Sequence, residues 1–145
     1  MATERSAQAT WQGDLMSGSG EIHEVPSGAF GPLQVNWASR AEEEHGGKTS
    51  PEELIAAAHA SCFAMALSHG LAQAGHTPER LETSATVTFV PGEGITKAAL
   101  TVVGSVSGID EEAFEEAAQA AKVGCPVSSA FKGNVELTLD ARLQT

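Results

Sequence analysis

Cysteine is scarce: the 145-residue chain holds two, Cys62 and Cys125, and they do not form a CxxC pair. In a reducing compartment, so few cannot build a disulfide framework. They are buried thiols, a redox pair or two unrelated residues. Basic residues are also few, with 8 Lys and Arg against 19 Asp and Glu, a net charge of −11 and no basic cluster. Such a surface repels nucleic acid and anionic lipid, so neither is an expected partner. No unbroken apolar stretch approaches the ~20 residues of a membrane span. The opening MATERSAQAT has no basic region leading into an apolar core, so the chain is expected to be soluble and cytoplasmic. Internal repeats and dividing linkers are absent, which predicts one domain over 1–145. A chain of this length buries roughly 68–70% of the surface exposed when unfolded, enough for a core without staples.

The strand signals fall into two groups. ATWQG alternates from Ala9, Gly18 and Gly20 punctuate a turn, and LQVNWAS gives another alternating run from Leu33 to Ser39. Arg40 to Lys48 is polar and reads as a loop. Further on, SATVTFV and ITKAALTVVGSV flank Pro91 to Gly94 as a hairpin, and NVELTLDARL forms a last strand. Asp110 opens an Ala/Glu-rich helix that Gly124 closes, and Pro126 starts a short one. The order, three strands, helix, two strands, two helices, strand, predicts an α+β fold with mostly antiparallel pairing.

A long central helix is expected from about Pro51 to Ala74. Ser50, Pro51 and Glu53 suit N-cap, N1 and N3, a capping box that leaves Glu52 without a structural task. Gly75 suits the left-handed position after the helix, and Pro78 stops its continuation. Leu54, Ile55, Ala58, Phe63, Met65, Ala66 and Leu67 place apolar groups almost all round, which predicts burial on several sides. Small residues from Ala56 to Ser61 would let another backbone approach, and a second copy of the same helix is the natural candidate.

Cys62 on this helix has two readings. It is a small core hydrophobe, inert when its neighbours are apolar, or a nucleophile. Cys125 in GCPVS falls at the N-cap of the short helix, where amides and the helix dipole favour thiolate, whereas a structural cap is more often Ser, Thr, Asp or Asn. His59 and Cys62 make an HxxC pair, but no second ligand pair follows at metal spacing. His23, His45, His69 and His76 are expected to be solvated. The glycines of SGSG and PGEG lack the strand-to-helix context of a phosphate loop and read as turns.

TSPEELIAAAHASCFAMALS together with GCPVSSAFKGNVELTL resembles the OsmC/Ohr family of cysteine-based hydroperoxide reductases, over nearly the whole chain. His59 and the GCPVS motif are closer to the OsmC branch. The resemblance implies an OsmC-like fold, with mostly antiparallel sheets around a long buried central helix, in an intertwined homodimer. It implies that Cys62 is the peroxidatic thiol and Cys125 the resolving thiol. The family's supporting glutamate follows the proline of [ST]-[NS]-P-E, which is Glu52 here. Its arginine lies before the central helix, and Arg40 is the only arginine between Trp11 and Pro51. No cofactor or metal is implied, and a dithiol reductant, such as a lipoylated protein, restores the enzyme.

These residue types suit the reaction. Burial disfavours thiolate, yet thiolate is what attacks a peroxide oxygen. A guanidinium offsets that penalty and supports the departing alkoxide, and a carboxylate fixes the guanidinium's orientation. The apolar neighbours Leu54, Ile55, Phe63, Met65 and Phe131 favour organic peroxides over hydrogen peroxide. Two other functions fit the same cysteines: thiol-disulfide exchange on proteins, which needs an exposed pair, and a noncatalytic dimeric binding module. Glu52 and Cys62 are ten residues apart, roughly 15 Å along one straight helix. An arginine cannot easily bridge that distance, so the helix geometry predicts active sites shared between subunits.

Overall fold

A computed structural model describes residues 2–144. The chain divides into two compact units, Met1–Pro51 and Glu52–Thr145.

The first unit holds β1 (Gln8–Gln12), β2 (Ser19–His23), β3 (Leu33–Val35) and the short helix α1 (Trp37–Ala41). The strands form an antiparallel sheet in sequence order. Asp14 closes the β1–β2 turn by accepting from the Ser17 amide at 2.8 Å and the Ser17 hydroxyl at 2.6 Å. Gly18 belongs to that turn, since a Cβ there would stand 2.2 Å from the Asp14 carbonyl oxygen. Gly20 does not: it lies in β2 opposite Trp11, whose ring would be 2.7 Å from an added Cβ. The alternating run from Leu33 is also shorter than expected. It stops at Val35, and Asn36 caps α1 by accepting from the Ser39 amide at 2.7 Å, while Ser39 Oγ accepts from the Asn36 amide at 3.2 Å. This reciprocal box turns NWAS into a helix start and places Arg40 in the last turn of α1, not in a loop.

The second unit is organised by α2 (Pro51–Gln73), β4 (Arg80–Val90), β5 (Gly94–Ser105), α3 (Glu111–Gly124), α4 (Pro126–Phe131) and β6 (Glu136–Leu143). β4 and β5 form the expected hairpin, with Val90 opposite Gly94. β6 returns after the two helices to pair parallel with β5. The α2 terminus is a Schellman closure: the His76 amide donates to Leu71 O at 2.8 Å and the Gly75 amide to Ala72 O at 3.0 Å. Gly75 takes φ +88, a conformation costly for residues with a Cβ. Asp110 caps α3 through the Ala113 amide at 2.8 Å.

The core lies where α2 and α3 meet β5. Phe63, Leu67 and Leu71 of α2 join Leu100 and Val102 of β5 and Phe114, Ala118 and Ala121 of α3. Gly104 lets Phe114 come close, since a Cβ there would be 2.5 Å from its ring. Burial of α2 is one-sided in the single chain, unlike the all-round burial its composition predicts. Glu52, His59, Phe63, Leu67 and Leu71 form the buried stripe, whereas Ala57, Ala58, Ser61 and Met65 are exposed. Apolar residues all round therefore mark two faces, of which the chain itself covers one.

Candidate active site

Cys62 sits midway along α2, one position before the buried Phe63. Cys125 joins two helices, and the sequence requires a break there. Pro126 has no amide hydrogen to extend α3 and its fixed φ suits the first position of a new helix. Cys125 therefore ends α3, donating its amide to Ala121 O at 2.8 Å, and begins α4, where its carbonyl accepts from the Ser129 amide at 2.9 Å.

The fold brings both thiols together: Cys125 Sγ donates to Cys62 Sγ at 3.1 Å across a sequence separation of 63. Cys125 is fully buried, whereas Cys62 is half-buried. Cys62 borders a groove of about 810 Å³ in the second unit, walled by Met65, Ala66 and His69 of α2 and Ala117, Ala120 and Ala121 of α3. The more accessible sulfur thus faces a mainly apolar space and the other lies behind it.

Burial pushes the Cys62 thiol above its ordinary value. A hydrogen bond from the Val127 amide opposes that shift, and the neighbouring Cys125 adds to it. The N-terminus of α4 therefore serves Cys62. The Cys125 side chain makes no cap hydrogen bond, and its thiol turns toward Cys62.

Glu52 is buried in the first turn of α2, ten residues before Cys62 and so roughly 15 Å away along the helix axis. Within one chain the two are not neighbours. Arg40 lies in the first unit, where it lines an apolar recess of about 410 Å³ with Trp11, Leu15, Val35 and Trp37.

His59 has a more definite place than HxxC spacing indicated. It is fully buried one turn before Cys62, and its Nε2 lies 2.7 Å from the Ser128 hydroxyl oxygen, one turn after Cys125. The Phe131 ring stands edge-on to the imidazole at a centroid distance of 5.6 Å. Among the described residues, His59 Nδ1 has no hydrogen-bond partner. Because an unpaired ring lone pair is cheaper to bury than an unpaired N–H, the neutral Nε2–H tautomer donating to Ser128 fits this environment. Burial also holds the imidazole below its ordinary pKa. The only sequence sign of this pair was two offsets of three, His59 to Cys62 and Cys125 to Ser128. Of the other histidines, His23 lies on β2 with Nε2 2.7 Å from Thr10 Oγ1.

The family model described as OsmC-like protein matches residues 44–140. Over an alignment 148 positions long, the chain is 43% identical to Peroxiredoxin OsmC of Escherichia coli (strain K12), covering 100% of both proteins. It is 31% identical over 103 residues to Organic hydroperoxide resistance protein OhrB of Bacillus subtilis (strain 168), covering 70% of this chain and 76% of that protein. The crystal structure of Bacillus subtilis OhrB aligns with a TM-score of 0.63 at 26% identity, covering 94% of this chain and 98% of that one. An OsmC-like protein from Mycoplasma pneumoniae shares the fold, with a TM-score of 0.74 at 14% identity and 100% coverage of both chains.

Proposed function

The chain belongs to the OsmC/Ohr family, closer to its OsmC branch, and from that membership we propose that it is a cysteine-dependent peroxidase reducing organic hydroperoxides to alcohols. The observation that carries this reading is the 3.1 Å thiol pair whose outer member, Cys62, borders an apolar groove. Attack by the Cys62 thiolate on a peroxide oxygen breaks the O–O bond. It leaves Cys62 as a sulfenic acid, and the alkoxide takes up a proton as alcohol. The Cys125 sulfur then attacks the sulfenic sulfur: an S–S bond forms, the S–O bond breaks, and hydroxide leaves with the thiol proton as water. A dithiol of the lipoyl class returns both cysteines to thiols by exchange. Burial of Cys125 supports this over protein disulfide exchange, which would need an exposed pair.

Arg40 supports the Cys62 thiolate and Glu52 orients Arg40 in this proposal, across the interface of a two-fold dimer. The support is the open face of α2 and the ten-residue offset of Glu52 from Cys62. Two copies of α2 crossing antiparallel near Ala57 would set each Glu52 beside the partner's Cys62.

The test is stopped-flow loss of thiol on mixing with cumene hydroperoxide or hydrogen peroxide. Faster oxidation by the organic peroxide is expected, followed by dithiol-dependent turnover. No thiol loss at micromolar peroxide overturns the reading.

Burial, with a smaller contribution from Cys125, raises the Cys62 pKa above its ordinary value, so without a nearby cation its thiolate forms at more alkaline pH than a free thiol's. A guanidinium at the sulfur moves that ionisation toward acid. Arg40→Ala is therefore expected to shift the pH profile of Cys62 alkylation to higher pH. An unmoved profile would remove Arg40 from the site.

Oxidation should also stabilise the fold. Joining residues 63 apart restricts the unfolded chain by about 4 kcal/mol in the loop-entropy account, before strain is subtracted. Peroxide-treated protein is expected to melt above its reduced form, and scanning calorimetry with and without dithiol measures the difference.

A further inference from the structure

We propose that His59 and Ser128 are positioning residues that fix α4 against α2, so that Cys125 can close the disulfide with Cys62. The part concerning peroxide rests on the function proposed above.

The geometry begins with two helices whose reacting groups must meet. His59 precedes Cys62 by three residues on α2, and Ser128 follows Cys125 by three on α4. Each partner therefore stands one helical turn from a sulfur, on the same side of its helix. Their 2.7 Å hydrogen bond links the elements that carry the 3.1 Å thiol contact. Both side chains are almost wholly buried, so water does not readily replace the bond. Phe131, the last residue of α4, packs edge-on to the same imidazole and makes a second contact between the helices.

This arrangement explains a charge-capable side chain that the chemistry does not otherwise use. A leucine would fill the space at His59, but it could not direct α4. α4 has only six residues and derives little stability from its own hydrogen bonds, so its register depends on such contacts. Two features depend on that register: the Cys125 sulfur beside Cys62 and the Val127 amide on the Cys62 sulfur. Moving from 3.1 Å to the ~2.05 Å of a disulfide requires only about 1 Å of approach, which the clamp can accommodate without breaking. Holding two reacting groups this close raises their effective concentration, and loosening them lowers both the rate and the equilibrium of closure.

The step assisted is attack of Cys125 sulfur on the Cys62 sulfenic acid, releasing water. The same clamp favours closure when oxidised glutathione is the oxidant: its disulfide is reduced to two glutathione thiols as the protein's two thiols become one disulfide.

Ser128→Ala and His59→Leu test the bond by deletion, and Ser128→Thr keeps the hydroxyl. Two readouts are needed in the full-length protein. One is the thiol-disulfide equilibrium against a glutathione redox buffer, which requires no peroxidase activity. The other is the lifetime of the Cys62 sulfenic acid after one equivalent of cumene hydroperoxide, trapped with dimedone. Both deletions are expected to lower the closure equilibrium about tenfold, or about 30 mV for this two-electron couple. They should also lengthen the sulfenic-acid lifetime by a similar factor, while Ser128→Thr stays near wild type. Loss of fold stability alone, shared by the thiol and disulfide forms, would leave the equilibrium unmoved. Wild-type closure in either folded deletion variant, or an equal loss in Ser128→Thr, overturns the clamp. Failure of cumene hydroperoxide to oxidise wild-type Cys62 would count against the peroxidase reading alone, and the glutathione equilibrium would still decide the role of His59 and Ser128.

Discussion

Cys62→Ser protein is expected to lose hydroperoxide consumption by about 10³-fold or more, because a serine hydroxyl is not ionised near neutrality and lacks the nucleophilicity of a thiolate. Cys125 is the other cysteine of the second unit. Cys125 is fully buried behind Cys62 and has no comparable access to peroxide. Cys125→Ser should behave differently. Cys62 is still oxidised once, but its sulfenic acid has no internal thiol to meet and advances to sulfinic acid under excess peroxide. Dithiol-linked peroxide consumption measures the first variant, and intact-protein mass after a peroxide titration measures the second. Turnover by Cys62→Ser with oxidation at Cys125 would reverse the two roles.

The shared-site proposal predicts an equally large effect, this time a recovery. Glu52→Ala and Cys62→Ser homodimers should each be poorly active, the first through loss of the carboxylate that orients Arg40. In a purified heterodimer, sharing across the two-fold puts both defects in one site and leaves the other intact. Activity should therefore return to about half of wild type. Sites contained within single subunits would each keep one defect, and mixing would restore nothing. A heterodimer no more active than its parents, with subunit exchange verified, contradicts the sharing and leaves the chemistry at Cys62 unaffected.

Local signals explain why most elements could be read from the chain. Pro51 and Gly75 bracket α2, Asp110 and Gly124 bracket α3, and Pro126 starts α4, because caps and prolines act within a few residues. LQVNWAS misled because alternation continues through Val35, Trp37 and Ser39, while the decisive Asn36–Ser39 box uses side chains that suit strand ends equally well. The open face of α2 was legible as apolar composition, but composition cannot say which face the chain itself covers. At the site, Cys62 and Cys125 could be paired through their motifs. The amide of Val127 at the Cys62 sulfur could not, since every residue but proline has an amide and its direction depends on how α4 docks. His59 was hidden similarly, its partner lying 69 residues away along the chain and adjacent only in the folded structure.

The central claim is that peroxide oxidises Cys62 and that Cys125 of the same chain resolves it. Its most direct test is a rapid acid quench after one equivalent of cumene hydroperoxide, followed by non-reducing peptide mass mapping. The account predicts a Cys62 sulfenic acid at the earliest times, converting to a Cys62–Cys125 crosslink within one chain. Crosslinks only between chains, or a Cys125 sulfenic acid appearing before any change at Cys62, would contradict it.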